Sequence, residues 1–234
     1  MKKLYILLLI PFFFGCAELQ GIATQLPGGE YGVTNVEIAS GLRQALDFGI
    51  DKQVTKLTKE DGFLKNELVK IILPPELQKV DKTLRDVGLS SLADEGLKVL
   101  NRAAEDAVKE ATPIFVTAVK EITFTDARNI LLGNNTAATA YLNQKTETQL
   151  YSKFNPVITN SLKKVGATEV WSSIINKYNS LPLTNKVNPD LPDYVTKQAL
   201  DGVFTMIAIE EKDIRSNFAA RSTDLLRRVF GLQD

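Results

Sequence analysis

VTKQALDGVFTMIAI, residues 195–209, is the stretch from which the fold is read. Set on a helix, Val195, Ala199, Leu200, Val203, Phe204, Met206, Ile207, Ala208 and Ile209 place apolar side chains on most sides of the cylinder. A helix lying on a domain surface shows one apolar stripe, whereas a helix apolar on most sides is surrounded by neighbours. Asp201 and Gly202 interrupt the run, which is also too short to span a bilayer. The stretch therefore predicts the central helix of a core. The whole chain is predicted to be an all-α, single-domain, multi-helix bundle of roughly eight to eleven helices wrapped around it.

The polar residues in and near this helix are the informative ones. Asp201 lies inside it, and Glu210, Glu211 and Asp213 follow at its end. Arg215, Arg221 and Asp224 come next, while Arg102 and Glu105 sit on a second helix rich in small residues. An unpartnered carboxylate is costly to bury, and the planar guanidinium fork can bind its two oxygens together. The expectation is a buried ion network drawn from Arg102, Glu105, Asp201, Glu210, Glu211, Arg215, Arg221 and Asp224. In it, Asp201, Glu210 or Glu211 pairs with Arg102, Arg215 or Arg221 and fixes helix register. The competing reading makes the carboxylates catalytic, as in glycoside cleavage, where two must face each other across a sugar. Asp201 and Glu210 are nine residues apart and so lie on opposite faces of one helix. Only Glu210 with Glu105 or Asp61 could converge, and no spacing brings them together.

Moving outward, Thr34 and Glu37 form a capping box, followed by Ala39, Leu42, Leu46, Ile50, Val54 and Leu57 as one buried stripe. Asp61-Gly62 ends that helix. Residues 68–73, LVKIIL, read equally as extended chain or short helix. Pro75 starts a helix with Leu77, Val80, Leu84 and Val87 inward and Gly88 closing it. Ser91 caps a longer helix through Ala111, and Thr112-Pro113 restarts the chain as N-cap and N1. Thr125-Asp126 begins a short helix ended by Gly133-Asn134. A further helix spans 136–154, Pro156 redirects it over 156–165, and Gly166 caps it. Thr168 and Glu169 lead a helix bearing Trp171, Ile174, Ile175 and Tyr178; Trp171, Tyr178, Tyr141 and Tyr151 read as core or interface aromatics. The irregular piece 179–193 is either functional or a clamp over the core, and Pro192 opens the central helix. The last helix is expected over 217–230, with Gly231 at its end.

The N-terminus carries a processing signal. Lys2 and Lys3 precede an apolar run, 4–14, of signal-peptide length, and Gly15-Cys16 follows at once. Small residue plus cysteine after such a run resembles the lipobox of bacterial lipoproteins, with Phe13 and Phe14 a relaxed match. The alternative, a buried structural thiol, fits poorly with Cys16 at the edge of a removable segment. Residues 1–15 are thus read as signal peptide, 16–33 as lipidated N-terminus and flexible tether containing Pro27-Gly28-Gly29, and 34–234 as the helical domain. More than one acyl chain on Cys16 would hold the protein to a membrane. Ala17 after the cysteine points by resemblance to the periplasmic face of the outer membrane; surface display stays open, since Glu18 is the only acid nearby.

Composition removes much chemistry. The chain has 28 basic and 28 acidic residues. Loss of Lys2 and Lys3 leaves 26 against 28, with no like-charged run, so nucleic acid is not an expected partner. With no histidine and one cysteine, Ser-His-Asp and Cys-His catalysis, HExxH zinc sites and thiolate clusters are excluded. The EF-hand pattern is missing, and no metal or cofactor is expected.

Several strings look like one family: Asp61-Gly62-Phe63, Asn101-Arg102-Ala103-Ala104-Glu105, Thr125-Asp126-Ala127, Ala137-Ala138-Thr139, Ala199-Leu200-Asp201-Gly202, Glu210-Glu211, Ile214-Arg215 and residues 220–226, ARSTDLL. Together, and in order over 38–231, they resemble the bacterial family designated domain of unknown function 4197. The resemblance implies a helical, often lipid-anchored envelope domain and brings no catalytic residue or cofactor with it. The expected role is non-enzymatic binding of an envelope protein or an apolar ligand, with a cofactor-free carboxylate hydrolase acting on envelope glycan as the alternative.

Overall fold

Thr34 opens the first helix, α1 (Asn35–Leu57), in the computed structural model of the protein. Its hydroxyl accepts the Glu37 N–H at 3.2 Å, and the Glu37 carboxylate accepts the Thr34 N–H at 3.0 Å. The structure describes residues 32–73, 78–86, 88–180, 182 and 186–234, without the side chains of 79, 80, 83, 84, 174 and 177. The signal peptide, Cys16, most of the tether, the Pro75 start and the inward positions Leu77, Val80, Leu84, Val87 and Ile174 lie outside that description.

After α1 come α2 (Gln78–Asp86), α3 (Ser90–Val108), α4 (Ala111–Lys120), α5 (Phe124–Leu131), α6 (Ala137–Lys164), α7 (Ala167–Asn179), α8 (Leu191–Ser216) and α9 (Asp224–Phe230). Short 3₁₀ turns cover Phe218–Ala220 and Gly231–Gln233. No strand occurs among the described residues, so the fold is all-α.

The predicted central helix is α8, extended by one turn at its start and two at its end. Asp190 caps it by accepting the Asp193 N–H at 3.0 Å, and Pro192 follows within its first turn. It packs against α6, α1 and α3, and α6 in turn packs against α3, α4 and α7. Phe204 meets Phe115 of α4 edge to face at a centroid distance of 5.9 Å. Gly202 lets the turn after α1 come close: a Cβ there would lie 2.8 Å from Cε1 of the buried Phe63 ring. Gly41 does the same for α9, since a Cβ on it would lie 2.7 Å from a Val229 methyl.

The burial of α8 is not complete. Lys197, Asp201, Thr205, Ile209 and Lys212 form one exposed stripe at three- and four-residue spacing. Asp201 is therefore no member of a buried network. It stands on the wet stripe, which the flanking Ala208 and Ile209 disguise as apolar when the sequence is read alone.

Several boundaries differ from expectation. Residues 136–154 and 156–165 are one helix, α6, with Pro156 inside it. Pro156 is exposed, as is Ser152 four residues earlier, so the carbonyl that loses its partner faces water. Thr123, not Thr125, caps α5, through a capping box with Asp126. Ser91 and Thr112 lie inside the first turns of α3 and α4, whose N-caps carry no side-chain bond. The last helix starts at Asp224 rather than 217, because Asn217 caps a 3₁₀ turn and Thr223 then caps α9. Segment 68–73 is turn followed by irregular chain rather than a helix. Asn101 of α3 stands in for a missing strand there, with its amide accepting from the Ile71 N–H at 2.8 Å and donating to the Ile71 carbonyl at 2.9 Å.

Candidate functional site

The acids and arginines of the expected network fall into separate clusters, three of them fastened to backbone and the one at Glu210 to side chains of α1. Glu211 and Arg215 are one turn apart on α8 and both buried. The Glu211 carboxylate accepts the N–H groups of Ala138 and Thr139 at 2.9 and 2.8 Å, the Thr139 hydroxyl at 2.7 Å and Arg215 Nε at 3.0 Å. Arg215 donates to the carbonyls of Leu131 and Ile130 at 3.0 and 2.8 Å. Thr136, at the N-cap of α6, offers no side-chain cap. Glu211 supplies it from another helix, while Arg215 caps the end of α5. Each charge thus meets the helix end of opposite partial charge.

Arg221 is 1% exposed and closes the end of α8. It donates to the carbonyls of Ile214 and Arg215 at 3.1 and 2.9 Å and to both carboxylate oxygens of Asp234 at 2.6 and 2.7 Å. The Arg221 hydrogen bonds hold the Asp234 carboxyl below the usual aspartate range. Glu210 is held by Lys52 and Gln53 of α1, each at 2.7 Å. Glu105 accepts the N–H groups of Phe63 and Leu64 at 3.0 and 3.4 Å and pairs with Arg102, which also reaches Asp61 at 2.6 Å. The Lys65 and Arg102 hydrogen bonds keep the Asp61 carboxyl low against the opposing effect of burial.

Asp224 joins none of these clusters. It is exposed in the first turn of α9 and pairs with Arg227 at 3.0 Å, a place where an acid suits the helix N-terminus. Lys52, Gln53, Thr139 and Asp234 complete the clusters without having been singled out from the sequence, and so does Asp61, which was weighed only as a catalytic partner for Glu210. Only Asp61 and Thr139 carried a signal, as members of the family strings.

These groups already bond backbone or one another, which suits them to holding helix ends in place. The cavity beside Glu210, Glu211 and Arg215 gives a water's centre about 20 Å³, room for one or two waters and not for an organic substrate. Among the described residues no cluster of three histidine, cysteine or acidic side chains could hold a metal, and no helix is long and apolar enough to cross a membrane.

The feature with room for a ligand is elsewhere. A groove of about 400 Å³ runs between the N-terminal half of α3, the α6–α7 junction and the start of α8. Leu92, Val99, Val165, Val170 and Trp171 line it, and Glu95 is the only charged residue of the lining among the described residues. Leu92, Val165 and Val170 are 61%, 59% and 61% exposed, which costs stability unless something covers them. Gly166, at φ +67°, makes the sharp turn from α6 to α7 that forms one wall. Trp171 is buried, stacks on Tyr194 with centroids 5.9 Å apart, and donates its indole N–H to the Asn188 carbonyl at 3.2 Å. The irregular segment before α8 thereby braces the groove from behind. Tyr151 strengthens the brace through a 2.7 Å bond to Asp193, which pushes its phenol up to about 12. The sequence marked Trp171 as core or interface; Leu92, Val165 and Val170 carried no signal, because a single apolar residue off a stripe reads as ordinary surface.

No curated protein and no solved structure matches the chain. A family model described as "Protein of unknown function (DUF4197)" matches residues 32–231, nearly the whole helical region and all the clusters above except Asp234. The chain belongs to that family.

Proposed function

We propose that this is a non-enzymatic binding domain of the bacterial envelope, tethered through acylated Cys16 to the periplasmic face of the outer membrane, which seats an apolar ligand or an apolar segment of a partner protein in the α3–α7 groove. The observation that carries the binding part is the set Leu92, Val165 and Val170, exposed together around a groove with one charged wall residue. Its size falls at the lower end of ligand sites, about 300–1,000 Å³. The signal-like N-terminus supports the tether. The carboxylates that would serve a hydrolase are engaged instead: Glu105 and Glu211 hold backbone, and Glu210 holds α1.

Trp171 is the only tryptophan and lines the groove, so it reports occupancy directly. A long-chain fatty alcohol brominated along its chain should quench Trp171 fluorescence saturably, and Val170→Asp should abolish the quenching while leaving the helical circular dichroism intact. Quenching that never saturates, or that survives Val170→Asp, contradicts the reading. For the tether, Cys16→Ala should move the protein from the membrane to the soluble fraction; retention in the membrane contradicts acylation.

A further inference from the structure

The apolar groove does not end at Glu95. On the next face of α3, Glu95 is also a wall of a charged trough of about 680 Å³, whose other side is segment 64–70. Positions 92, 96 and 99 face the groove and 91, 94 and 98 face the trough, with 95 between them at the 100° step of the helix. A hydrocarbon chain in the groove would therefore bring whatever is attached to it onto this trough.

The trough holds three lysines and three acids, most of them spoken for. Lys65 pairs with Asp61 at 2.6 Å, Asp94 with Arg85 at 2.8 Å, and Lys98 loosely with Glu95 at 3.6 Å. Lys70 and Glu67 make no ion pair or side-chain hydrogen bond among the described residues. Lys70 is half-buried and Glu67 exposed. One cation and one anion thus stand uncommitted on the same short segment. A purely anionic group would lie against Glu67 and Glu95, and a purely cationic one against Lys70. A group with both signs satisfies both.

We propose that the ligand is a zwitterionic amphiphile, a phospholipid carrying a phosphate and a primary amine, with one hydrocarbon chain in the groove, its phosphate on Lys70 and its ammonium on Glu67. This rests on the groove being a ligand site, as proposed above. Phosphate accepts charge-assisted hydrogen bonds from lysine, and the carboxylate accepts them from the amine, so the head group adds affinity that a neutral chain lacks.

The test uses the full chain, Trp171 quenching, and three single-chain amphiphiles with the same brominated chain, each kept below its micelle concentration: a fatty alcohol, a lysophosphatidylglycerol and a lysophosphatidylethanolamine. The ethanolamine lipid should bind roughly tenfold tighter than the other two, the size expected for ion pairs at a partly exposed site. Lys70→Glu should erase that advantage, and the charge-swapped pair Glu67→Lys with Lys70→Glu should restore much of it, since both signs are again present. Equal affinity for all three, unchanged in Lys70→Glu, overturns the head-group proposal and leaves the apolar groove standing. Preference for the phosphoglycerol lipid overturns the zwitterion in favour of an anion site. No quenching by any chain, the result if the groove seats a protein segment, overturns the lipid proposal together with the apolar-ligand form of the reading above.

Discussion

Glu211 and Arg215 do at residue scale what local sequence does elsewhere, because the N-terminus of α6 has no side-chain cap of its own and the end of α5 presents bare carbonyls. Breaking such a buried pair leaves one charge uncompensated. Glu211→Gln should therefore lower the unfolding free energy in urea by about 3 kcal/mol; Arg221→Met, which strands the Ile214 and Arg215 carbonyls while its acid partner Asp234 is exposed, by about 1–3 kcal/mol; and exposed Asp201→Asn by less than ~0.5 kcal/mol. Equal effects at all three would refute the assignment of buried and exposed roles. Acid adds a second test. The Asp234 and Asp61 carboxyls are held below the ordinary aspartate value of 3.8 by their cationic partners. A depressed carboxylate stabilises the fold above that value and loses its contribution as pH falls below it. The melting temperature should fall below about pH 4, less steeply in Asp234→Asn; the absence of histidine leaves no side chain of ordinary pKa to titrate between about pH 5.5 and 8. That arginines would meet acids near the end of α8 was legible from composition and cost of burial. Which acid stays wet was not, because Asp201 and Glu210 differ only in which neighbour arrives on their side of the helix.

At the scale of elements, caps were the most readable feature and also the source of the errors. The Thr34 box sits where the pattern places it, and Asp190 and Pro192 open α8 as their chemistry allows. Thr125 misled although Thr123 and Asp126 already form a capping box two residues earlier, and Ser91 misled because the N-cap of α3 is Leu89, with no side-chain cap. Pro156 misled for another reason: the rule against proline inside a helix lapses where the freed carbonyl can reach water. Close approach gives a testable contrast between two helical glycines. Gly202→Ala should destabilise by about 1–3 kcal/mol, because the new methyl meets the buried Phe63 ring. Gly96→Ala, with nothing within 4 Å of its Cβ, should stabilise by about 0.5–1 kcal/mol. Thermal denaturation of the two variants decides; if Gly202→Ala is the more stable, the packing of α8 on the turn after α1 is wrong.

For the whole molecule, three of the ion clusters and the groove sit at opposite ends of α8, with the Glu105 cluster beside the turn that meets Gly202 at its middle. Glu210, Glu211, Arg215 and Arg221 gather near its C-terminus, against α1, the α5–α6 junction and Asp234, while the groove opens beside Leu191 at its start. One end is tied down by backbone bonds and the other leaves apolar surface uncovered, a division of labour that suits a rigid body presenting a binding face. The sequence exposed the first half of this arrangement because buried charge has a recognisable cost. It hid the second half, since a groove is a property of how helices fail to fill space, and no periodicity encodes a gap. The central claim remains that α8 is the helix on which the others are built. Hydrogen exchange followed by mass spectrometry over 199–207, in increasing sub-denaturing urea, tests it most directly. The account predicts that these amides exchange only through global unfolding, with the same urea dependence as the equilibrium transition. Rapid, urea-independent exchange across the segment would contradict it, because it would show a helix that opens without disturbing the rest.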